Sequence, residues 1–359
     1  MIEILVDADE FWRRLEQDVS GARHSVVLQT LSFEGDIAGG RLAEALAAAR
    51  CADRRIVIDS FTRYMLSGRF RYSPARLVDR AFRDELESTD AMIGRLRASG
   101  VGIRFCNPVG ALLRRLPARN HKKSVVIDGR IAYVGGINFS DHNFEWHDLM
   151  LRIEDARLAR VLMEDFEDTW AGRAVRRYGE SDGLELHVLD GRTNGLGFDR
   201  LFQLVEAAER SIVVESPYLS FPFCEPLRRA ARRGVELTVI TPALNTIDSL
   251  KRYILWQGRR SGFRVRLYPR MSHLKAMLID GRWLIVGSSN FDYLSYRRHQ
   301  EILLIVRDRT AIETFRRRVL EPDLALSAPA EHPGWRRGGH AWSAALRGVG
   351  AAAALVSRT

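Results

Sequence analysis

The chain has 359 residues, 46% of them hydrophobic and 28% charged, which is the composition of a folded globular protein with enough length for two domains. Lys and Arg exceed Asp and Glu by 55 to 45, so anionic lipid headgroups or nucleic acid are expected partners, the alternative being a basic surface that only aids solubility. The three cysteines, Cys51, Cys106 and Cys224, lie far apart, which argues against a disulfide framework or a thiolate metal site.

The sequence carries no readable targeting or membrane signal. Residues 1–7 lack the basic and apolar regions of a signal peptide, and no run approaches the ~20 apolar residues that a spanning helix needs. We therefore expect a protein of a reducing compartment that is soluble or lies on a membrane. Residues 323–359 are rich in Pro, Gly and Ala and predict a loosely ordered basic tail, in which Trp335 and Trp342 are candidate interfacial anchors.

Strands and helices alternate along the chain. The predicted elements of the first part are a strand at 1–6, a helix opened by a capping box at Asp7 and Glu10, a strand at 25–30, a helix at 41–50 and a strand at 55–59. The order strand, helix, strand returns at 211–218, 224–233 and 234–240. This rhythm predicts an α/β fold.

One segment of the sequence occurs twice. Residues 121–139 and 273–291 align without a gap, and 10 of the 19 aligned residues are identical. Both copies read His-x-Lys-x4-Asp and continue through Gly-Arg to a Val-Gly-x-x-Asn-Phe ending. A gapless duplicate that keeps His, Lys, Asp, Gly and Asn together indicates an internal repeat with a shared chemical purpose.

The repeat predicts two halves of unequal length. The motifs are 152 residues apart but the strands that precede them are 186 apart, so the first half carries an enlarged connection, which we place between Thr62 and Ala98. The predicted organisation is a first half at 1–178, a linker at 179–197, a second half at 198–322 and the tail.

Strand parity divides each motif into two parts. Side chains two residues apart on a strand share a face, so His121 and Lys123 point together, whereas Asp128 points away. The same holds in the second copy for His273 and Lys275, with Asp280 pointing away. We expect both aspartates to hold the local structure, by pairing or by accepting backbone N–H groups.

If the halves pack about a pseudo-two-fold axis, the two His-Lys pairs share one active site between them. Two imidazoles can divide nucleophilic and acid–base roles, and lysines with asparagines can stabilise the oxygens of a phosphoryl group. The sequence has no evident carboxylate cluster for Mg²⁺. The group Asp141, His142, His147 and Asp148 matches no standard metal-ligand spacing, so we predict neither a metal nor another cofactor.

The two motifs resemble the signature of the phospholipase D superfamily, and the resemblance covers residues 1–320. Within the superfamily the chain is most similar to short bacterial cardiolipin synthases without N-terminal membrane helices. The segments that carry this likeness are 119–123, 135–138, 146–148, 216–218 and 287–292. The resemblance implies two α/β/α sandwich halves with mixed sheets, related by a pseudo-two-fold.

The resemblance also implies roles for the motif residues. It implies a metal-independent, two-step transphosphatidylation in which His121 is the nucleophile that forms a phosphatidyl-histidine and His273 is the general acid and base. The remaining residues that it implicates are the motif residues Lys123, Asp128, Lys275 and Asp280, the phosphate-binding residues Asn138, Asn290 and Ser288, and the histidine-orienting carboxylates Asp148 and Glu301.

Three positions depart from the pattern of the family. Gly136 stands where many relatives have serine, residues 292–295 lack the usual arginine, and His299 replaces an asparagine. The implied function is a cardiolipin synthase-like phosphatidyltransferase, peripheral on the cytoplasmic face of the cell membrane, with phosphatidylglycerol or a similar anionic lipid as substrate. The alternative is a phosphodiesterase or nuclease, with nucleic acid as partner. Because one chain carries both motifs, a monomer can complete the site.

Overall fold

The computed structural model describes residues 1–77, 79–110 and 113–330. Contacts within the chain divide it into two compact units. Unit 1 contains residues 1–193, 287–289 and 298–304, and unit 2 contains residues 194–286, 290–297 and the chain from 305. Unit 1 is therefore built from three separate stretches of sequence.

Unit 1 begins with a strand and then alternates helices and strands. Its strands are β1 (Ile2–Val6), β2 (Ser25–Thr30), β3 (Asp53–Asp59), β4 (Met65–Leu66), β5 (Arg69–Phe70), β6 (Gly102–Cys106), β7 (Ser124–Ile127), β8 (Ile131–Gly135), β9 (Leu149–Glu154), β10 (Arg177–Ser181) and β11 (Leu184–Asp190). Its helices are α1 (Asp7–Ser20), α2 (Ile37–Ala48), α3 (Pro74–Leu77), α4 (Arg80–Ala98), α5 (Asp141–Phe144) and α6 (Ala156–Trp170), with a 3₁₀ turn at Ser60–Arg63.

The second part of the chain repeats this order. Its strands are β12 (Ser211–Glu215), β13 (Glu236–Pro242), β14 (Arg264–Tyr268), β15 (Ala276–Ile279), β16 (Trp283–Gly287), β17 (Gln300–Val306) and β18 (Ala328–Pro329). Its helices are α7 (Asn194–Glu206), α8 (Cys224–Arg232), α9 (Asp248–Ser261), α10 (Tyr293–Arg297), α11 (Arg309–Phe315) and α12 (Glu321–Leu326), with a π-helical turn at Arg316–Leu320.

Each unit contains a mixed sheet, which confirms the predicted α/β class. The strand order in unit 1 is β1-β9-β8-β7-β2-β3-β6, and in unit 2 it includes β16-β15-β12-β13-β14-β18. In both, three consecutive strands are parallel and the motif strand pairs antiparallel with the first of them. The core of unit 1 lies where α1 buries Phe11, Leu15 and Val19, the face that the helical period predicts.

The sheet topology places the first residues of each motif at the end of the sheet where the parallel strands finish. β2 and β3 are parallel and end at Thr30 and Asp59, while β7 runs the opposite way with Ser124 beside Gln29. The residues just before β7, including His121, therefore lie where β2 and β3 end. The carboxyl ends of parallel strands are the usual binding edge of such sheets.

Asp128 and Asp280 lie at the other end of the motif strands, in turns that lead to the next strand. Both adopt a positive φ of 52° and are followed by glycine. The carboxylate of Asp128 accepts the backbone N–H groups of residues 23–25, and that of Asp280 accepts those of residues 209–211. The aspartates therefore tie the motif turn to the start of the neighbouring strand, as strand parity led us to expect.

The residues predicted as a linker, 179–197, are folded. They contain the end of β10, all of β11 and the start of α7, and the unit boundary falls after Thr193. In chain order β11, α7 and β12 correspond to β1, α1 and β2, so the second repeat begins inside the predicted linker. Gly179 lies within β10, opposite Leu186, and Gly183 forms the tight turn between β10 and β11 with a φ of 74°.

Two other boundaries differ from the prediction. The extra length of the first half is divided between two connections. The first, residues 60–101, corresponds to the shorter connection 243–263 of the second half. The other, residues 107–120, corresponds to residues 269–272. The first residues of the predicted tail form α12 and β18, and β18 pairs with β14. The rest of the tail, with both tryptophans, lies outside the described residues. Asp7 does not cap α1, because its side chain binds His147 and the backbone N–H of Asp148.

Helix length and polarity argue against a membrane span in the part of the chain that the structure describes. Among those helices, none has both the length and the apolar character that crossing a bilayer requires.

We predict that Asp128→Asn lowers the free energy of unfolding by about 1–3 kcal/mol, because an amide oxygen accepts the three N–H groups less well than a carboxylate. The control Asp84→Asn, at an exposed position on α4, should change it by less than about 0.5 kcal/mol. Urea denaturation followed by circular dichroism measures both. Equal stabilities of the two variants would contradict the role assigned to Asp128.

The pH dependence of this difference is a second check. Although burial acts to raise it, hydrogen bonds from residues 23–25 lower the pKa of Asp128. A carboxylate with a lowered pKa stabilises the fold above its unfolded pKa, about 4, and loses this effect as the pH falls through the lowered value. The gap between wild type and Asp128→Asn should therefore close in acid.

Candidate active site

The segment before β7 is anchored by buried polar groups at the ends of two strands. The backbone N–H of Asn120 donates to Asp59 at 2.6 Å, and its side-chain amide donates to Gln29 at 3.0 Å. Arg119 pairs with the other carboxylate oxygen of Asp59 at 2.8 Å, and both side chains are buried. His121 therefore follows a backbone fixed to β2 and β3.

Lys122, which the sequence analysis did not single out, anchors the other face of the segment. Its side chain is 1% exposed, and its ammonium group donates to both oxygens of Asp165 at 2.7 and 2.8 Å and to Thr169 at 3.1 Å. Asp165 also accepts from Gln29 at 2.8 Å. Asp165 and Thr169 lie one turn apart on α6, and a buried helix face rarely carries an aspartate without a partner. This spacing was the feature of the sequence that could have indicated a buried cation beside α6.

Lys123 points to the side opposite Lys122 and lies with His121. Its Nζ donates to the backbone carbonyl of His121 at 2.8 Å, and both side chains are buried. The second motif repeats the contact, with Lys275 Nζ donating to the carbonyl of His273. The alternation predicted from strand parity thus brings His and Lys together in each copy.

The imidazole of His121 is held by two acceptors. Its Nδ1 lies 3.1 Å from the carbonyl oxygen of Ser288 and 3.0 and 3.1 Å from the two carboxylate oxygens of Glu301. Because a carbonyl and a carboxylate only accept hydrogen bonds, Nδ1 must carry the proton. Nε2 then holds the lone pair, which makes it the nucleophilic atom of the ring.

Glu301 is fully buried and ionised. Burial acts to raise the pKa of Glu301, but hydrogen bonds from His121 and His299 hold that pKa below its usual range. Burial lowers the pKa of His121, against the opposing charge of Glu301, so the ring is neutral near pH 7. A neutral imidazole beside an ionised carboxylate is the protonation state of a poised nucleophile.

Ser288 holds the carboxylate of Glu301 in place through its hydroxyl group. Its hydroxyl donates to the carboxylate of Glu301 and accepts the backbone N–H of Ile302 at 2.9 Å. The resemblance implied a contact between Ser288 and phosphate, but in this structure its hydroxyl proton is directed at Glu301. Glu301 follows His273 by 28 residues in the sequence, yet it orients His121.

His299 also shares Glu301. Its ring stacks on that of His121 with centroids 5.2 Å apart and planes at 26°, and its Nδ1 lies 3.7 Å from the carboxylate. One potential ligand atom of each of these three residues lies within 4.8 Å of the others. Nearly parallel stacked rings direct their in-plane lone pairs side by side, so they converge poorly on one metal ion. We therefore describe the group as a carboxylate shared by two histidines.

The group Asp141, His142, His147 and Asp148, considered above as a possible metal site, includes residues that make hydrogen bonds within the protein. His147 Nδ1 binds Asp7 at 2.7 Å, and Asp141 accepts the backbone N–H of Ala38 at 2.8 Å. Asp148 lies against Gly136, where an added Cβ would approach both of its carboxylate oxygens to 2.3 Å. This contact explains why glycine replaces the serine that is usual in the family.

The two asparagines are buried at the motif ends. Asn138 accepts from Thr30 at 3.4 Å and donates to Asn143 at 3.3 Å in unit 1. Asn290, in unit 2, is 4% exposed, and His273 there is 5% exposed. The structure thus gives both copies a buried histidine, lysine and asparagine, and their contacts with phosphate stay a prediction.

Comparisons with known proteins identify the family of this chain. A family model described as "Cardiolipin synthase, PLD-like domain" matches residues 15–170 and 201–321. The chain therefore belongs to this family, and with it to the enzymes of the phospholipase D superfamily.

Individual relatives and solved structures point the same way. The chain is 28% identical to cardiolipin synthase B of Salmonella typhi, over 88% of this chain and 78% of the relative. It is 26% identical to cardiolipin synthase B of Escherichia coli K12 over the same shares. The crystal structure of phosphatidylserine synthase from Haemophilus influenzae Rd KW20 has a TM-score of 0.69 at 16% identity, over 92% of this chain and 88% of the other, which shows a shared fold.

We predict that nitrogen NMR of ¹⁵N-histidine-labelled protein finds His121 neutral near pH 7, with its proton on Nδ1. In Glu301→Gln this preference should weaken, because the amide replaces the charged acceptor with a neutral group. A wild-type signal with the proton on Nε2 would show that the hydrogen bonds at Nδ1 are assigned incorrectly.

A further prediction concerns the anchor of the motif. Lys122→Ala should destabilise the fold by about 3–5 kcal/mol, because it leaves Asp165 charged and buried without its partner. Arg130→Ala removes one member of an exposed ion pair with Glu154 and should cost at most about 1 kcal/mol. Thermal and urea unfolding of both variants check the contrast, and similar losses would contradict it.

Proposed function

We propose that this protein is a phospholipid phosphatidyltransferase of the cardiolipin synthase type. The observation that carries the proposal is His121, held by Glu301 and Ser288 as a neutral imidazole with its lone pair on Nε2. A second motif with the same residues, and the cardiolipin synthases among the relatives, support the same reaction. The substrate class proposed is an anionic glycerophospholipid such as phosphatidylglycerol.

The first step forms a covalent intermediate. Nε2 of His121 attacks the phosphorus of the lipid, a P–N bond forms, and the P–O bond to the headgroup alcohol breaks. The imidazole becomes positively charged, and Glu301 stabilises this charge through the Nδ1 hydrogen bond. The family resemblance assigns His273 as the acid that gives the leaving alkoxide its proton.

The second step transfers the phosphatidyl group. An incoming alcohol, for which we propose the free hydroxyl of a second phosphatidylglycerol, gives its proton to His273 and attacks the phosphorus. The P–N bond breaks and His121 returns to its neutral state. Lys123, Lys275 and the two motif asparagines would balance the charge on the phosphoryl oxygens, so the proposed steps need no metal ion.

The proposed location is the cytoplasmic face of the cell membrane, where the protein would bind from the aqueous side. Three features support it: a net charge of +10, the lipid substrates that the relatives' names indicate, and the absence of a spanning helix among the described residues. One chain carries both motifs, so the proposal needs no second copy.

The experiment incubates the purified protein with phosphatidylglycerol vesicles and, separately, with single-stranded DNA. We expect cardiolipin and free glycerol from the lipid, and no dependence on Mg²⁺. His121→Ala should abolish turnover, and Glu301→Gln should reduce it about 10²–10⁴-fold, because the imidazolium loses its counter-charge. His24→Ala, at an exposed turn, is the control and should retain full activity.

Three outcomes would contradict the proposal. DNA cleavage without lipid turnover would favour the phosphodiesterase or nuclease reading, which the positive charge also permits. Release of phosphatidic acid alone would make the protein a hydrolase. Turnover that survives in His121→Ala would remove the assignment of the nucleophile.

A further inference from the structure

The enlarged connection after β3 builds a surface feature of unit 1. It begins with the 3₁₀ turn at Ser60–Arg63 and continues into the hairpin of β4 and β5, which ends at Tyr72. The corresponding connection after β13 runs directly into α9, where Tyr253 and Trp256 are buried.

Three aromatic rings cluster on the hairpin. The rings of Tyr64 and Tyr72 lie 6.1 Å apart, and those of Phe70 and Tyr72 lie 5.8 Å apart. Tyr72 is 53% exposed, while the other two are partly buried. A tyrosine with an apolar ring and a polar tip is the residue type that prefers the boundary between lipid headgroups and acyl chains.

Two arginines are neighbours of these tyrosines in the chain, and one of them contacts a ring of the cluster. The guanidinium of Arg71 lies 5.8 Å from the ring of Tyr72, and that of Arg63 lies 3.9 Å from the ring of Phe105. Neither arginine has a carboxylate within ion-pair distance among residues 1–77, 79–110 and 113–330. Both charges are therefore available to an anionic surface. We call Arg63, Tyr64, Phe70, Arg71 and Tyr72 the aromatic–arginine patch.

The hairpin that carries the patch is anchored at its turn. The backbone N–H of Ser67 donates to buried Glu34 at 3.1 Å, and its hydroxyl reaches both Glu34 and Glu85. Arg69, on β5, pairs with Glu85 at 2.5 Å. The patch is thus a preformed surface, and binding would not have to order it.

The patch lies at the same end of the sheet as His121, where β3 finishes. β3 ends at Asp59 and leads straight into the 3₁₀ turn, whose last residue, Arg63, is the first residue of the patch. Asp59 also accepts the backbone N–H of Asn120, next to His121. A surface that engages the patch therefore meets unit 1 at the end of the sheet where His121 lies.

We propose that the aromatic–arginine patch docks unit 1 on the surface of an anionic phospholipid bilayer, with Tyr72 at the headgroup level and Arg63 and Arg71 against lipid phosphates. Positive charge and exposed tyrosine together match this partner. The proposal names the docking surface for the proposed phosphatidyltransferase, and it rests on that function only for its link to turnover.

The test compares two double variants of the full chain. The first, Arg71→Gln with Tyr72→Ser, removes a charge and a ring from the patch. The second, Arg130→Gln with Tyr178→Ser, removes the same groups outside it, and Tyr178 is exposed to nearly the same degree, 54%. Equal thermal unfolding midpoints of the two proteins ensure that both are folded.

Binding is measured by sedimentation with vesicles of equal parts phosphatidylglycerol and phosphatidylcholine. The patch variant should bind about tenfold more weakly than wild type, because one arginine at such a surface accounts for about fivefold and the lost ring for the rest. The matched variant should change affinity less than about twofold if its residues lie off the docking surface. Equal affinities of the two variants would overturn the proposal.

Two further measurements separate the remaining explanations. Turnover of vesicles should fall in the patch variant, while turnover of monomeric dihexanoyl phosphatidylglycerol should fall less than about twofold; an equal fall on both substrates would overturn docking. Loss of binding to single-stranded oligothymidylate with vesicle binding retained would also overturn it. If wild type turns over neither lipid but the vesicle affinities differ as expected, the proposed function fails and the docking surface stands.

Discussion

The hydrogen bond between Glu301 and Nδ1 of His121 is the interaction on which the candidate site depends. It fixes the tautomer, keeps a carboxylate charged in a buried setting, and leaves Nε2 with a lone pair. Other buried hydrogen bonds in unit 1 hold the residues on both sides of this contact. Asp59 holds the backbone of Asn120 before His121, Asp165 holds the side chain of Lys122 after it, and Ser288 holds the carboxylate of Glu301. Because these groups are buried, each needs its partner, so the network tolerates little rearrangement.

Much of the fold followed from the sequence, because hydrophobic period and duplication are local signals. Strand β2 and helix α8 lie where the pattern placed them, and the two aspartates bind backbone N–H groups as their parity indicated. The residues predicted as a linker are folded instead, because a glycine such as Gly183 marks a hairpin turn as readily as a domain boundary. The need for glycine at 136 depends on a tertiary contact, because the carboxylate of Asp148 fills the space that a side chain at 136 would occupy.

The site was harder to predict, because its contacts join distant parts of the chain. Spacing related Glu301 to His273, whereas the structure relates it to His121. The sequence did not single out Lys122, because its role depends on Asp165, a residue of α6 that lies 43 positions away in the chain. His299 was visible as a departure from the family, but its stacking on His121 was not. Pairings of this kind depend on tertiary contacts, which one sequence does not record.

Unit 1 closes with residues 298–304, which are made long after its other strands. As the chain leaves the ribosome, the first motif emerges early, yet the carboxylate that fixes its histidine is still untranslated. His121 therefore stays without its partner until most of the polypeptide has been synthesised. A nascent chain that ends before residue 298 would therefore carry the first motif without the carboxylate that fixes the tautomer of His121.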